Sequence, residues 1–122
     1  MIVVDTAVWI DHLRNSDQEL AALLEDGRVL GHPWVTGELA LGSLRARTEI
    51  LRLLDELPQA QVATDAELLE FIDHHELHGL GIGYVDAQLL AATILTDAEL
   101  WTRDRRLQAA AEQLGVAHAR DS

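Results

Sequence analysis

The first strand of this chain ends in an acid, and this feature constrains the fold more than any other. Residues Ile2–Val4 are a β-branched run, the composition of a buried strand, and Asp5 follows them directly. Thr6 can cap the next segment, in which the apolar residues of 8–13 have helical spacing. A carboxylate at the carboxyl end of a buried parallel strand lies where open α/β sheets bind their ligands. The alternative is that Asp5 only caps the helix.

Strand and helix patterns alternate along the rest of the chain. Further strands are predicted at 29–32 and 99–102, with a weak strand at 60–63 and a candidate edge strand at 116–119. An early helix that ends near Gly27 has capping-box spacing at Ser16 and Glu19. Later helices are predicted at about 33–44, 48–57, 64–78, 84–95 and 103–114. Such alternation is typical of an α/β fold with a mainly parallel sheet.

Composition limits the class of protein. At 122 residues the chain can build a single core, so residues 1–122 are predicted to form one domain. The apolar content of 48% and the mean hydropathy of +0.03 fit a soluble globular protein. The lack of cysteine excludes disulfides and thiolate metal sites. No apolar stretch could cross a membrane, and a strand at residue 2 leaves no room for a signal peptide, so we expect a cytoplasmic protein.

The charge is strongly negative. The net charge is −12, from 21 acids and 9 bases, and every base is Arg. This balance argues against nonspecific binding to polyanions, but it is compatible with an acidic metal site and with a basic partner. Arg can grip a phosphate with two hydrogen bonds. Two Arg clusters are therefore candidates for phosphate contact: Arg45, Arg47 and Arg52, and Arg103, Arg105 and Arg106.

Four acids lie where apolar elements begin or end: Asp5, Glu38, Asp86 and Asp104. Asp5 and Asp104 follow strands, and parallel strands end at the same edge of a sheet, so the two can converge. Asp86 is in the first turn of a helix that starts at that edge. Taken singly, each acid also has a purely structural explanation as a helix cap, a first-turn acid or a solvated residue.

Carboxylates that are pressed together repel one another and resist ionisation. A hard divalent cation offsets this charge, and ligation by oxygen alone suits Mg²⁺ or Mn²⁺. Phosphodiester hydrolysis is the chemistry that such a centre performs, since the metal activates a water and stabilises charge on the phosphate. A convergence of the four acids would therefore predict a metal-dependent nuclease.

Four blocks of the sequence resemble the motifs of PIN-domain ribonucleases, and the closest group is the VapC toxins of bacterial toxin–antitoxin pairs. The blocks are 5–14, 36–42, 83–92 and 100–107, in the order of that family. The resemblance covers essentially the whole chain. It implies a PIN-like three-layer sandwich, with a central, mainly parallel sheet of four to five short strands flanked by helices.

The resemblance also implies a function and a site. The expected activity is a Mg²⁺-dependent endoribonuclease, with Mn²⁺ as a substitute, that cuts cellular RNA such as tRNA or rRNA to leave a 5′-phosphate and a 3′-hydroxyl. Asp5, Glu38, Asp86 and Asp104 match the acidic quartet of the family. Asp5 and Asp86 would bind the metal directly, Asp104 directly or through water, and Glu38 through water. Thr102 matches a small hydroxyl position that orders the site.

Partners follow from the same resemblance. They are a VapB-like antitoxin that fills the groove, an RNA substrate and a second copy of the chain in a homodimer. Candidate substrate contacts are Thr6, Arg14, Arg103, Arg105 and Arg106, although the arginines could equally be solvated helix residues. One departure is Ala7, where the family commonly has Ser or Asn. Two alternatives stay open: a catalytically weak PIN domain that binds protein or RNA, and the same fold acting on DNA.

Two other features have structural explanations that we favour. Residues 73–78 contain His74 and His78 one helical turn apart, which could chelate zinc or nickel, but a polar helix end explains them better because the motif is not H-E-x-x-H. Trp9, Trp34 and Trp101 lie in apolar segments and are predicted to be core residues rather than platforms for stacked bases.

Overall fold

A computed structural model of the protein describes residues 1–119, whose central element is a sheet of three parallel strands. The strands are β1 (Ile2–Val4), β2 (Val29–Leu30) and β3 (Glu99–Trp101), in the spatial order β2-β1-β3. In the central pairing Val4 lies opposite Trp101, so β1 and β3 end at the same level. The residues that follow these two strands, Asp5 and Thr102, therefore start side by side.

Seven helices connect and flank the strands in this part of the chain. They are α1 (Thr6–Asn15), α2 (Gln18–Glu25), α3 (Pro33–Ala40), α4 (Arg47–Glu56), α5 (Asp65–His74), α6 (Tyr84–Leu95) and α7 (Arg105–Gln113). Helix α6 packs against β1 and β3, and its residues from Ala87 to Thr93 are all buried. A helix that is apolar on every side is a core helix. The sequence pattern predicted this α/β class and its parallel sheet, and both predictions are confirmed.

The number of strands is smaller than predicted. The described residues contain three strands instead of four to five, because the two outer segments pair at one residue each. Gln59 bridges Gly31 at one edge, and Ala117 bridges Leu100 at the other, both in parallel. The predicted strand at 60–63 does not form, because the chain reaches the Thr64 cap of α5 five residues after the bridge at Gln59. The predicted edge strand at 116–119 is reduced to the bridge at Ala117.

Helix boundaries also differ from the prediction in places. Asp17, not Ser16, caps α2: its carboxylate accepts the Leu20 N–H at 3.0 Å, whereas Ser16 has a φ of +38°. Helix α3 ends at Ala40, four residues before its predicted end. Helix α5 begins where predicted, at its cap Thr64, which forms a complete capping box with Glu67.

The core of the described residues surrounds the sheet. Ile2, Val3, Leu100 and Trp101 are at most 1% exposed. Trp9 is also buried, as predicted, but Trp34 is 39% exposed and the prediction that it belongs to the core is wrong. None of the helices between residues 1 and 119 has the length and apolarity that crossing a bilayer requires.

Candidate active site

A cavity of about 450 Å³ opens at the carboxyl edge of the sheet. All four acids singled out in the sequence contribute to its wall: Asp5, Glu38, Asp86 and Asp104. The other lining residues are Thr6, Ala7, Ile10, Val85 and Arg103. These carboxylates come from the end of β1, from the starts of α6 and α7 and from the second half of α3, and they surround one space, as the convergence argument expected.

Asp5 is fixed by the strands on both sides of it. Its backbone N–H donates to the Trp101 carbonyl at 2.9 Å, which continues the pairing of β1 with β3. One carboxylate oxygen accepts the Thr6 N–H at 2.8 Å and caps α1, and the other accepts the Thr102 hydroxyl at 2.7 Å. Asp5 is thus both a helix cap and a residue of the cavity.

Thr102 links two of the acids. Its hydroxyl donates to Asp5 and accepts the backbone N–H of Asp104 at 3.1 Å. Only 6% of Thr102 is exposed, so water does not compete freely for these contacts. The residue holds the ends of β1 and β3 in register at the cavity.

Asp86 and Asp104 each use one oxygen to begin a helix. Asp104 Oδ1 accepts the N–H groups of Arg106 at 2.9 Å and Leu107 at 3.0 Å, which caps α7. Asp86 Oδ2 accepts the Gly83 N–H at 2.9 Å at the start of α6. Within residues 1–119 no donor hydrogen-bonds the second oxygen of either side chain. Those oxygens are available to a ligand.

The pKa of Asp86 is raised above its ordinary value. Burial is the largest cause, and the charges of Asp5 and Asp104 add to it, while the Gly83 N–H opposes it. The carboxylates thus act on one another electrostatically across the cavity. No cation relieves this repulsion, since none of the four acids forms an ion pair with another described residue.

Glu38 reaches the site from α3. Its Oε1 accepts the Thr6 hydroxyl at 2.8 Å, and this contact joins α3 to the start of α1. The second oxygen of Glu38 receives no hydrogen bond from the described residues. Thr6 is therefore a positioning contact for Glu38 as well as a lining residue.

The candidate substrate arginines are distributed differently. Arg103 lines the cavity but forms ion pairs with Asp11 and, at 3.1 Å, with Asp17. Arg14 lies outside the cavity, in a separate depression of about 330 Å³ beside Ser43 and Arg45. Arg105 is exposed at the start of α7. The two ion pairs of Arg103 link residues that are 92 and 86 positions apart in the chain, and no sequence pattern indicated them.

Arg106 lies against the loop before α6. Gly81 has a φ of +76°, which favours glycine, and a Cβ atom there would be 2.6 Å from the guanidinium of Arg106, a flexible side chain that would have to shift. Arg106 thus packs beside the loop that delivers Asp86.

The acids fit a hard cation by their chemistry and their lack of counter-charges, although the ligand set is not preformed. Among residues 1–119 no three His, Asp or Glu side chains stand in an arrangement ready to hold a metal ion. This finding covers the rival cluster at 73–78 too. There His74 and His75 form an edge-on ring pair with centroids 4.8 Å apart, and His75 packs against Phe71. Helix α5 ends at His74 rather than at 78, so the prediction that His74 and His78 lie one helical turn apart is wrong.

Comparison with known proteins identifies the family. The PIN domain family model matches residues 2–113. The chain belongs to the PIN domain family. It is 48% identical to Ribonuclease VapC32 of Mycobacterium tuberculosis strain CDC 1551 / Oshkosh, over 99% of this chain and 98% of that protein. The values are the same for Ribonuclease VapC32 of strain ATCC 25618 / H37Rv.

These matches confirm the resemblance to PIN-domain ribonucleases of the VapC type. They support an enzyme of the ribonuclease class, which is a phosphodiester hydrolase. The cavity at the sheet edge is accordingly the candidate active site of this PIN domain.

Proposed function

We propose that this PIN domain is a divalent-metal-dependent endoribonuclease, the toxin of a toxin–antitoxin pair, and that Mg²⁺ is its cofactor with Mn²⁺ as a substitute. The observation that carries the proposal is the group of four carboxylates around one cavity without a counter-ion in the described chain. The raised pKa of Asp86 supports it, because three of these acids share one electrostatic environment. The name of the 48% identical relative supports RNA as the substrate.

Asp5, Asp86 and Asp104 would hold the cation, with Glu38 acting through water. When bound, such a cation activates a water molecule and stabilises charge on the transferring phosphate. Asp104 and Asp86 can serve because each keeps one oxygen without a hydrogen bond while the other fixes the side chain. Attack of the water on phosphorus with breakage of the P–O3′ bond would leave a 5′-phosphate and a 3′-hydroxyl, the products that the family resemblance implies.

The remaining residues bind and position. Glu38, held by the Thr6 hydroxyl, orients the attacking water or takes its proton. Thr102 is a positioning residue, since it acts through Asp5 and Asp104. Arg103 and Arg105 would contact RNA phosphates, whereas Arg14 lines a separate depression.

The proposed assembly follows the same reasoning. A VapB-like antitoxin with basic side chains would cover the acidic cavity, and the net charge of −12 favours such a partner. We propose further that residues 1–122 form one domain, that the chain acts on tRNA or rRNA in the cytoplasm, and that it works as a homodimer.

Cleavage of total cellular RNA by the purified, antitoxin-free protein tests the proposal. The reactions contain Mg²⁺, Mn²⁺ or EDTA, and they compare the wild-type chain with Asp5→Asn and Asp86→Asn. Asp55→Asn is the matched control, because it makes the same chemical change at an exposed position on α4. We expect discrete fragments that require metal, disappear in both cavity variants and persist in the control.

The opposite result would favour the alternative class. Four carboxylates without a counter-ion could also bind an Arg side chain of a partner. In addition, Ala7 lines the cavity at a position where the family commonly has the polar side chain of Ser or Asn. A folded protein that binds RNA but does not cleave it in the presence of any of the metals would be a binding module. Competition between RNA and DNA oligonucleotides separates the ribonuclease from a deoxyribonuclease.

A further inference from the structure

Two aromatic side chains stand exposed beside the candidate active site. The chain has five Phe, Tyr and Trp residues, and the two that are exposed, Trp34 at 39% and Tyr84 at 43%, are neighbours. Their ring centroids are 5.8 Å apart, and the ring planes are inclined by 57°. A tilted pair does not cover both faces of its rings, so an aromatic face is open to a ligand.

The backbone fixes this pair next to the acids. Trp34 precedes Glu38 by four residues on α3, which is one helical turn, or about 6 Å along the axis. Glu38 lines both the site cavity and an adjoining apolar groove of about 500 Å³ that contains Trp34. Tyr84 is the first residue of α6 and precedes Asp86 by two. The pair is therefore within one or two nucleotides of the acids, since a stacked strand rises about 3.4 Å per nucleotide.

The backbone at Trp34 and the ring of Tyr84 are each anchored by a hydrogen bond. The backbone N–H of Trp34 donates to His32 Nδ1 at 3.1 Å, so the start of α3 is capped by a side chain that is 1% exposed. The Tyr84 hydroxyl donates to Asp65 Oδ1 at 2.6 Å, which ties the ring to the start of α5. A rigid aromatic surface loses little conformational freedom when it binds.

Charge indicates what kind of contact this surface makes. With a net charge of −12, long-range attraction cannot bring a polyanion to this protein. Near the cavity, Arg103 is already paired with Asp11 and Asp17. Stacking of a base on an aromatic ring does not depend on net charge and tolerates any base. Stacking of an RNA base in this groove is therefore a contact that the negative charge of the protein does not weaken.

We propose that Trp34, supported by Tyr84, is a stacking subsite for a nucleobase of single-stranded RNA adjoining the cleaved phosphate. This inference rests on the proposed ribonuclease function, because it assigns the substrate's base to a groove beside the same cavity. It gives Trp34 a role in substrate affinity and in the choice of an unpaired segment. An unpaired segment is favoured because a base within a duplex must first be unstacked and unpaired, at a cost in free energy, before it can stack on a side chain.

Binding without cleavage is the first test. A fluorescently labelled hexa-adenylate RNA is titrated with the protein in EDTA, and the affinity is measured by anisotropy. The variants are Trp34→Ala, Trp34→Phe, which keeps a ring, and Leu53→Ala, which removes a 45% exposed apolar side chain from α4. We expect Trp34→Ala to weaken binding roughly 5- to 150-fold, Trp34→Phe to retain most of the affinity and Leu53→Ala to leave it unchanged.

A second probe identifies the base as the stacked group. An abasic hexamer of the same length should bind the wild-type chain as weakly as hexa-adenylate binds Trp34→Ala, and it should not distinguish the two proteins. Trp9 and Trp101 are 5% and 1% exposed, so quenching of tryptophan fluorescence by the RNA should report Trp34 and vanish in Trp34→Phe. Equal losses for the abasic RNA and hexa-adenylate on substitution of Trp34 would overturn the proposal.

The test separates this inference from the proposed function. If metal-dependent cleavage occurs and Trp34→Ala changes neither binding nor KM, the subsite is wrong and the ribonuclease stands. If no form cleaves RNA but Trp34 still determines binding of hexa-adenylate, the subsite stands and the enzymatic proposal falls. The aromatic pair could instead contact a second copy of the chain, and light scattering tests this alternative. If the wild-type chain is a dimer, and if Trp34→Ala but not Leu53→Ala converts it to a monomer, the pair is an interface between copies and the subsite is wrong.

Discussion

Replacement of Thr102 by Val removes one hydroxyl from the centre of the candidate site and keeps the shape of the side chain. In the wild-type chain that hydroxyl donates to Asp5 at 2.7 Å and accepts the Asp104 N–H at 3.1 Å. The position is 6% exposed, so water reaches the freed groups poorly. The variant therefore leaves a carboxylate oxygen and a backbone amide with one partner fewer.

The cost can be worked from these two contacts. A hydrogen bond to a charged group contributes about 1.5–3 kcal/mol and a neutral one about 1 kcal/mol, and the added methyl group of Val offsets part of the loss. We expect the free energy of unfolding to fall by about 2–3 kcal/mol. For a chain of this size about 4 °C of Tm corresponds to 1 kcal/mol, so the Tm should fall by roughly 8–12 °C. Thr102→Ser keeps the hydroxyl and loses one methyl group, which should cost only about 1 kcal/mol.

Thermal unfolding in EDTA and cleavage of RNA with Mg²⁺ together check the reasoning. Removal of a residue that hydrogen-bonds to a metal ligand typically lowers metal affinity or activity 10- to 100-fold. We therefore expect Thr102→Val to cleave RNA about 10- to 100-fold more slowly than the wild type and Thr102→Ser to keep most of the activity. Titration with Mg²⁺ should also raise the Tm of Thr102→Val less than that of the wild-type chain. If Thr102→Val melts within about 2 °C of the wild type and cleaves RNA as fast, the hydroxyl does not position Asp5.

Three further predictions concern charge. Burial and the charges of Asp5 and Asp104 raise the pKa of Asp86, so the ionised carboxylate opposes folding above that pKa. Asp86→Asn should therefore raise the Tm of the metal-free protein at pH 7–8 and abolish stabilisation by Mg²⁺. A lower Tm of the metal-free variant would contradict this reasoning. Burial lowers the pKa of His32 to about 4, so the free energy of unfolding should fall as the pH drops from 6.5 to 4. The fall should be at most about 3 kcal/mol, and less where water screens the ring. In urea titrations His32→Asn, which retains a cap acceptor, should lose less of its free energy of unfolding over the same pH range. If Arg103 and Arg105 are the only phosphate contacts, log K for single-stranded RNA should fall with log[salt] at a slope of about −1.4, and a slope steeper than about −4 would show a basic surface that the structure lacks.

The parts of the site that the sequence predicted are those set by local patterns and parallel pairing. The run Ile2–Val4 followed by Asp5 identified the strand and its terminal acid. Because parallel strands end at one edge of a sheet, Asp104 was then expected beside Asp5, whereas Thr102 was indicated by the resemblance to PIN-domain ribonucleases.

The parts that the sequence did not predict depend on what packs against each element. Helix α3 buries Val35 and Leu39, four residues apart, at 3% and 2% exposure. Trp34 and Leu41 lie off that stripe and stay exposed, although the segment as a whole is apolar. The pairing of Arg103 with α1 and the Asp17 cap of α2 joins residues far apart in the chain, and a charge pattern within one helix gives no sign of it.

Helix capping and ligand binding seemed to be competing explanations for each acid, but a carboxylate has two oxygens. Asp104 uses Oδ1 for two N–H groups of α7, and Asp86 uses Oδ2 for the Gly83 N–H, while the second oxygen of each receives no hydrogen bond from residues 1–119. The cap fixes the direction of the side chain, so the free oxygen is positioned without further contacts. The same helix starts supply partial positive charge, which lets several carboxylates remain together until a cation arrives. A structural role for these acids is therefore a condition of the proposed metal site rather than evidence against it.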